Sequence, residues 1–199
     1  MFFYVFCTNV SRGQELNYTP EILLGHRSLT YLHVVKYNVN DKFTVNNLVL
    51  FDAEYETEVN NIYFIRNMAS YKFNKVFSVN TAIGIKNPGK FATMSVQYQY
   101  YKTDVSISFS AGPTYQNGFT LEQSLVVNYT PEISKNWKVY FNLLAIANLN
   151  LDEYQRGLQQ LRMGLKNKTI MFGLGANFDQ FNNASKKLMN MGLFIKYNS

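Results

Sequence analysis

The sequence predicts an all-β protein, an antiparallel up-and-down transmembrane β-barrel, and three observations predict it. Apolar and polar residues alternate with period two through most of the chain after residue 17, Asn/Gly/Lys/Asp punctuation interrupts that pattern repeatedly, and no stretch holds the run of about eighteen apolar residues that a membrane-crossing helix needs. Period two sends successive side chains to opposite faces of a strand. A membrane crossing, if there is one, therefore rests on strands closed into a barrel, the only β-structure that satisfies its backbone in lipid.

Composition points the same way. Of 199 residues, 16% are aromatic and only 16% charged, against the ~25% charge usual in soluble domains. The formal charge of +6 is spread singly along the chain, which fits an anionic lipid surface and not the clustered basic patch of a nucleic-acid binder. Cys7 is the only cysteine, so no disulfide framework or Cys-based metal site is expected. No cofactor is implied.

The first residues read as a leader. Phe2 to Phe6 form a short apolar run, and Ser11 and Gly13 are small residues two apart, the pattern a signal peptidase reads. Residues 1–13 are expected to be a signal peptide, with 14–199 as one barrel domain. No Lys or Arg precedes the apolar run, which leaves the true start codon open.

The strands follow in order. Residues 17–39 are one strand, or two if Gly25-His26-Arg27-Ser28 is a turn. Residues 42–56 set Phe43, Val45, Asn47, Val49, Phe51, Ala53 and Tyr55 against Lys42, Thr44, Asn46, Asp52 and Glu54. Alternation is blurred in 58–73, where Arg66 sits inside the segment, and returns in 76–86 before the turn at Asn87-Pro88-Gly89-Lys90. The clearest pair is 91–101 and 104–113; Gln116-Asn117-Gly118 then turns into the strand from Phe119 to Tyr129. After the break at 131–136 come 137–149, a second blurred segment at 153–166 carrying Arg156 and Arg162, 169–179 and 189–197. Even strand numbers are the rule for single-chain bacterial barrels. Twelve is therefore chosen, with ten as the alternative if two weaker segments merge.

Alternation alone does not say which face is dry. The polar faces are built from Ser, Thr, Asn and Gln with few Lys or Glu, whereas water-exposed strands use charge to block edge pairing. Small neutral groups suit a confined, hydrated lumen. Tyr37, Phe43, Tyr55, Phe73, Phe77, Tyr100, Phe119, Tyr129, Trp137, Phe178 and Tyr197 lie near strand ends, where interfacial aromatic girdles form. The apolar face is thus expected outward against outer-membrane lipid, and a soluble barrel or sandwich is the competing reading.

The Ser-Arg-Gly-Gln-Glu-Leu leader end, the Tyr-Thr-Pro-Glu-Ile opening, the stretch Gln159 to Leu165 and the stretch Phe172 to Gln180 resemble the small, functionally uncharacterised outer-membrane barrels of the Bacteroidota type. The resemblance implies a bacterial outer-membrane location and insertion by the barrel-assembly machinery, and it names no activity. Such barrels usually end in an aromatic residue; this chain ends Tyr197-Asn198-Ser199.

Charges inside strands carry the functional expectation. Glu21, Asp52, Glu54, Arg66, Glu122, Arg156, Arg162 and Asp179 should face the lumen, since Arg on the lipid face costs about 2–4 kcal/mol at the midplane. There they form either a constriction that selects solutes or an ion-paired plug. The outward turns near 26, 57, 88, 117, 151 and 184 are short, which argues against a receptor or adhesin. A narrow passive channel for small polar solutes is the leading expectation, a structural or accessory barrel with a filled lumen the alternative. Lipid modification is a distant third: it would need His33 to act with Ser28 or Thr30, and no nucleophile motif surrounds either hydroxyl. Asp52 and Glu54 lack a third ligand for a metal.

Overall fold

The computed structural model describes residues 16–87, 89–150, 154–181 and 186–199, with only the backbone of Tyr154 and Gln155. The expected leader at 1–13, Pro88, and the turn centres near 151 and 184 lie outside the described residues. The strands are β1 (Leu16–Gly25), β2 (Ser28–Asn38), β3 (Phe43–Glu54), β4 (Ile62–Lys72), β5 (Phe77–Lys86), β6 (Gly89–Lys102), β7 (Val105–Tyr115), β8 (Phe119–Tyr129), β9 (Glu132–Ser134), β10 (Trp137–Leu149), β11 (Tyr154–Asn167), β12 (Ile170–Phe181) and β13 (Lys186–Tyr197). Each long strand pairs antiparallel with its neighbour in sequence, and β13 pairs with β1 through Glu21↔Lys196 to Gly25↔Gly192. The result is a closed barrel of twelve long strands, with β9 a short ribbon on the lower end of β10. Gly25 and Ser28 flank the turn that divides β1 from β2, which settles the count at twelve.

Closure leaves no long edge unpaired. Strands of ten to fourteen residues rising about 3.3 Å per residue and tilted some 40° give a wall roughly 25–35 Å tall. Both described termini lie at one end, here called lower. There the chain end is laced to the first strand: Tyr18 N donates to Ser199 Oγ (2.9 Å), Asn17 Nδ2 donates to Ser199 O (3.0 Å), and Asn198 N donates to Thr169 O (2.8 Å). The turn at 116–118 is tight enough to need positive φ at Asn117 (58°) and Gly118 (144°). Asn and Gly are the residues that accept those angles cheaply.

The apolar parity faces outward. Leu24, Ile83, Met94, Leu174 and Leu193 are each at least 57% exposed, while Glu21, Asp52, Asn80, Thr114, Asn177 and Asp179 are buried inside. A soluble barrel would show the reverse. The interior is nevertheless drier than small polar faces predict: Leu32, Val34, Leu48, Leu50, Leu144 and Ile146 also line it. The inward rows of β2, β3 and β10 are themselves apolar at mid-strand, which is why alternation says less there.

Candidate functional site

The lumen has two unlike walls. One is made by β11, β12, β13, β1, β2 and β3, and its centre is Arg162, 1% exposed. Arg162 Nε donates to Glu21 Oε1 (2.7 Å), and its Nη1 donates to the carbonyls of Leu161 (2.9 Å) and Ala176 (3.2 Å) and to Asn177 Oδ1 (2.9 Å). Lys196 Nζ stands 3.5 Å from the other oxygen of Glu21. The chain continues through Asn177 Nδ2 to Thr30 Oγ1 (3.1 Å), then from Thr30 and Ser28 hydroxyls to Asp52 Oδ1 (2.7 and 2.6 Å). Arg27 closes it on both Asp52 and Glu54. Asn190, wholly buried, accepts from the backbone amides of Arg27 and Ser28 and donates to Ser28 O.

Buried charges are tolerated only when paired and hydrogen-bonded, because desolvation otherwise outweighs attraction. This wall meets that condition for most of its groups. Beside it, Leu23, Tyr140, Met171 and Phe194 form a buried apolar cluster inside the barrel, with the Arg162 guanidinium 5.9 Å from the Phe194 ring centroid. Gly175 makes the packing possible: a Cβ there would lie 2.8 Å from Leu23 Cδ1 and 3.0 Å from Arg162 Cδ. Above, Arg156 grips Asp179 through Nε (3.3 Å) and Nη2 (2.8 Å).

The other wall, β5 to β8, presents short side chains such as Asn80, Ser95, Ser110 and Ser124. Its charges are loosely held. Lys86 Nζ is 3.9 Å from Glu122 Oε2 and 4.8 Å from the Phe91 ring centroid. Arg66, reaching in from β4, makes no ion pair among the described residues, and its Nε has no hydrogen-bond partner there. A cavity of about 280 Å³ occupies the lumen and a second of about 140 Å³ lies along the short-side-chain wall. Arg66, Glu122, Ser124 and Val126 line both.

All eight strand-borne charges expected in the lumen therefore point inward, but they do not form one cluster. Glu21, Asp52, Glu54, Arg156, Arg162 and Asp179 belong to the paired wall; Arg66 and Glu122 stand apart at the neck between the cavities. Arg27, Lys86 and Lys196 complete the set and were missed by sequence reasoning. Lys86 and Lys196 lie on the polar parity of β5 and β13, a signal that was available; Arg27 lies in a turn, where parity has no meaning. The eleven aromatics stand near strand ends, Tyr100 two residues and Phe178 three residues inside theirs, and several are paired, as with Phe77 and Tyr98 (5.4 Å between centroids), Tyr71 and Phe73 (5.6 Å) and Tyr115 and Phe119 (5.1 Å). The pairing of His33 with Ser28 or Thr30 is corrected by parity: both hydroxyls face the lumen and bond to Asp52, whereas His33, one position off, faces outward.

No family model and no curated protein matches this sequence. Among solved structures, the chain is similar to a KdgM porin (TM-score 0.54, 13% identity, covering 92% of this chain and 97% of that one) and to a NanC porin (TM-score 0.54, 8% identity, 92% and 98%). A KdgM porin in complex with disordered oligogalacturonate is similar to the same degree (TM-score 0.53, 14% identity, 92% and 97%). At these identities the likeness is one of fold, an outer-membrane porin barrel matched over nearly its whole length.

Proposed function

We propose that this protein is a barrel of the bacterial outer membrane and that its lumen is a narrow passive channel for small polar solutes. The observation that carries the reading is the asymmetry of the interior. Six of the eight expected lumenal charges are locked into hydrogen bonds along one wall instead of bridging the barrel, and the wall across from them is kept low by Ser and Asn. Space remains beside the short side chains, and Arg66 and Glu122 stand where the two cavities meet, with Lys86 beside Glu122.

The outward apolar rows and the aromatic strand ends support membrane residence, and the likeness to porins is compatible with a channel. A buried guanidinium with an unused N–H offers a docking point for an acceptor atom of a passing solute. A second reading, a structural barrel with a filled lumen, has one observation in its favour: the Leu23, Tyr140, Met171, Phe194 cluster is packed inside the barrel. Single-channel recording of purified protein in planar bilayers separates them. Discrete conductance steps are expected; silence across a wide voltage range, with folded barrel present, would overturn the channel.

A further inference from the structure

The outer surface of the barrel is uneven at mid-height. Leu125 on β8, Leu143 on β10, Leu174 on β12 and Leu193 on β13 are typical of the outward rows there. Gln123 on β8 and Gln159 on β11 interrupt these rows singly, whereas four consecutive strands depart together, with His33 at the centre of β2, Asn47 on β3, Asn67 at the centre of β4 and Thr81 on β5. Asn47 and Asn67 are cross-strand partners.

His33, Asn47 and Asn67 join Tyr31 and Tyr18 in one hydrogen-bonded line. Asn47 Nδ2 donates to Asn67 Oδ1 (3.0 Å), Asn47 Oδ1 is 3.3 Å from His33 Nε2, His33 Nδ1 is 3.0 Å from the Tyr31 hydroxyl, and that hydroxyl is 3.2 Å from the hydroxyl of Tyr18 on β1. The line has a direction. Asn47 uses its NH2 on Asn67, so its oxygen accepts from His33 Nε2–H. A neutral imidazole protonated there accepts at Nδ1, so Tyr31 donates to it and Tyr18 donates to Tyr31. The NH2 of Asn67 is left as a donor with no partner among the described residues, and the phenolic oxygen of Tyr18 as an acceptor with no donor there.

Resting on the membrane reading above, where the hydrocarbon supplies neither water nor other partners, we propose that this strip is the interface of a homodimer whose two-fold axis runs along the membrane normal. Such an axis keeps both copies upright and reverses the strip from left to right. The Asn67 end of one copy then meets the Tyr18 end of the other, donor against acceptor, twice. An isologous contact requires this self-complementarity, and a heterologous partner would have to supply both ends separately. His33 and Asn47 lie nearest the axis.

Cysteine cross-linking in native outer membranes tests the geometry, in a Cys7→Ser background. Asn47→Cys is expected to cross-link to itself, and Tyr18→Cys to cross-link with Asn67→Cys only when the two chains are co-expressed; Leu143→Cys, on the far wall, is expected not to react. A folded, membrane-embedded protein showing no dimer at position 47 would overturn the proposal. So would cross-linking at Leu143, capture of a different protein, or Tyr18→Cys reacting with itself as readily as with Asn67→Cys. In detergent, His33→Leu with Asn47→Leu and Asn67→Leu is expected to raise the dimer dissociation constant on the order of tenfold, with the heat-modifiable shift on gels reporting that the barrel still folds. Recovery in the aqueous fraction would count against the membrane reading itself, a separate failure.

Discussion

On the wall that runs from β11 through β13 to β3, Arg162 spends three of its hydrogen bonds on backbone and Asn177 and a fourth on Glu21, and glycine at 175 lets Leu23 and the guanidinium lie flat. On the wall from β5 to β8, most inward side chains are short, the large exception being the buried Phe91 ring that Gly84 makes room for, and Arg66 and Lys86 are held by little more than a ring face and a carboxylate 3.9 Å away from the lysine. Both walls belong to one closed hydrogen-bonded ladder, so the backbone does not distinguish them. The difference lies in how the inward rows are filled: one is packed to the standard of a protein core, the other is left low. A barrel of this strand number has more interior than a few charges can fill, and packing one side leaves the remaining volume as a continuous strip beside the other.

That contrast breaks most visibly at Arg162. Arg162→Leu removes the main partner of Glu21, which then keeps only Lys196 at 3.5 Å, and releases the acceptor of Asn177. Loss of one member of a buried pair typically costs about 3–5 kcal/mol. Urea unfolding of the barrel in lipid vesicles should show that loss, and adding Glu21→Leu should recover part of it, the signature of a coupled pair in a double-mutant cycle. If Arg162→Leu costs no more than an ordinary surface change, the packed wall does not depend on the network.

Gly175→Leu attacks the same wall from the backbone side. Its Cβ alone would meet Leu23 and Arg162 at contact distances that real side chains avoid, and overpacking of this kind costs about 1–3 kcal/mol. The expected result in the same unfolding assay is an intermediate loss, with the barrel still closing.

How much of this was legible follows from what is local. Parity is local: it placed Asp52, Glu54, Glu122 and Asp179 inward and the leucines of β12 and β13 outward without knowledge of any partner. Partnership is not local. Arg162 and Glu21 are 141 residues apart in the chain and meet because β1 closes against β13 in one register, a property of the whole ring that no segment encodes alone. Arg66 and Arg156 lay in segments whose alternation was blurred, so even their parity needed the structure. Leu48 and Leu50 were the informative exception: apolar residues on the polar parity of β3, they signalled that the interior is partly dry. Asn47 was the converse, a polar residue on the apolar parity, and it marks the outward strip.

Arg66 tests the looser wall. Because its Nε has no partner and its nearest anion is Glu122, shared with Lys86, replacing it with Leu leaves no buried carboxylate without a cation. Removal of an under-satisfied buried charge is often neutral or stabilising, so unfolding should move by less than about 1 kcal/mol. Conductance is where the change should appear. Under a salt gradient, the reversal potential of Arg66→Leu is expected to shift toward cation preference, since Glu122 then faces the neck with one counter-charge fewer. An unchanged reversal potential would place the ion path elsewhere.

The smallest structural effect and a clear functional one are expected at Ser110. Its side chain lines the smaller cavity and makes none of the side-chain hydrogen bonds that hold the packed wall. Ser110→Leu adds bulk where the wall is low, into space and not into neighbours, so stability should stay within about 0.5 kcal/mol as for substitutions away from packed or paired features. The leucine reaches toward the strip beside Arg66 and Glu122, and single-channel conductance should fall while the protein remains as stable as before. The same substitution made on the packed wall, as Gly175→Leu is, reverses the balance: stability falls. Finding that Ser110→Leu costs as much stability as Gly175→Leu would mean the two walls are packed alike, and the strip proposed as the solute path would be filled.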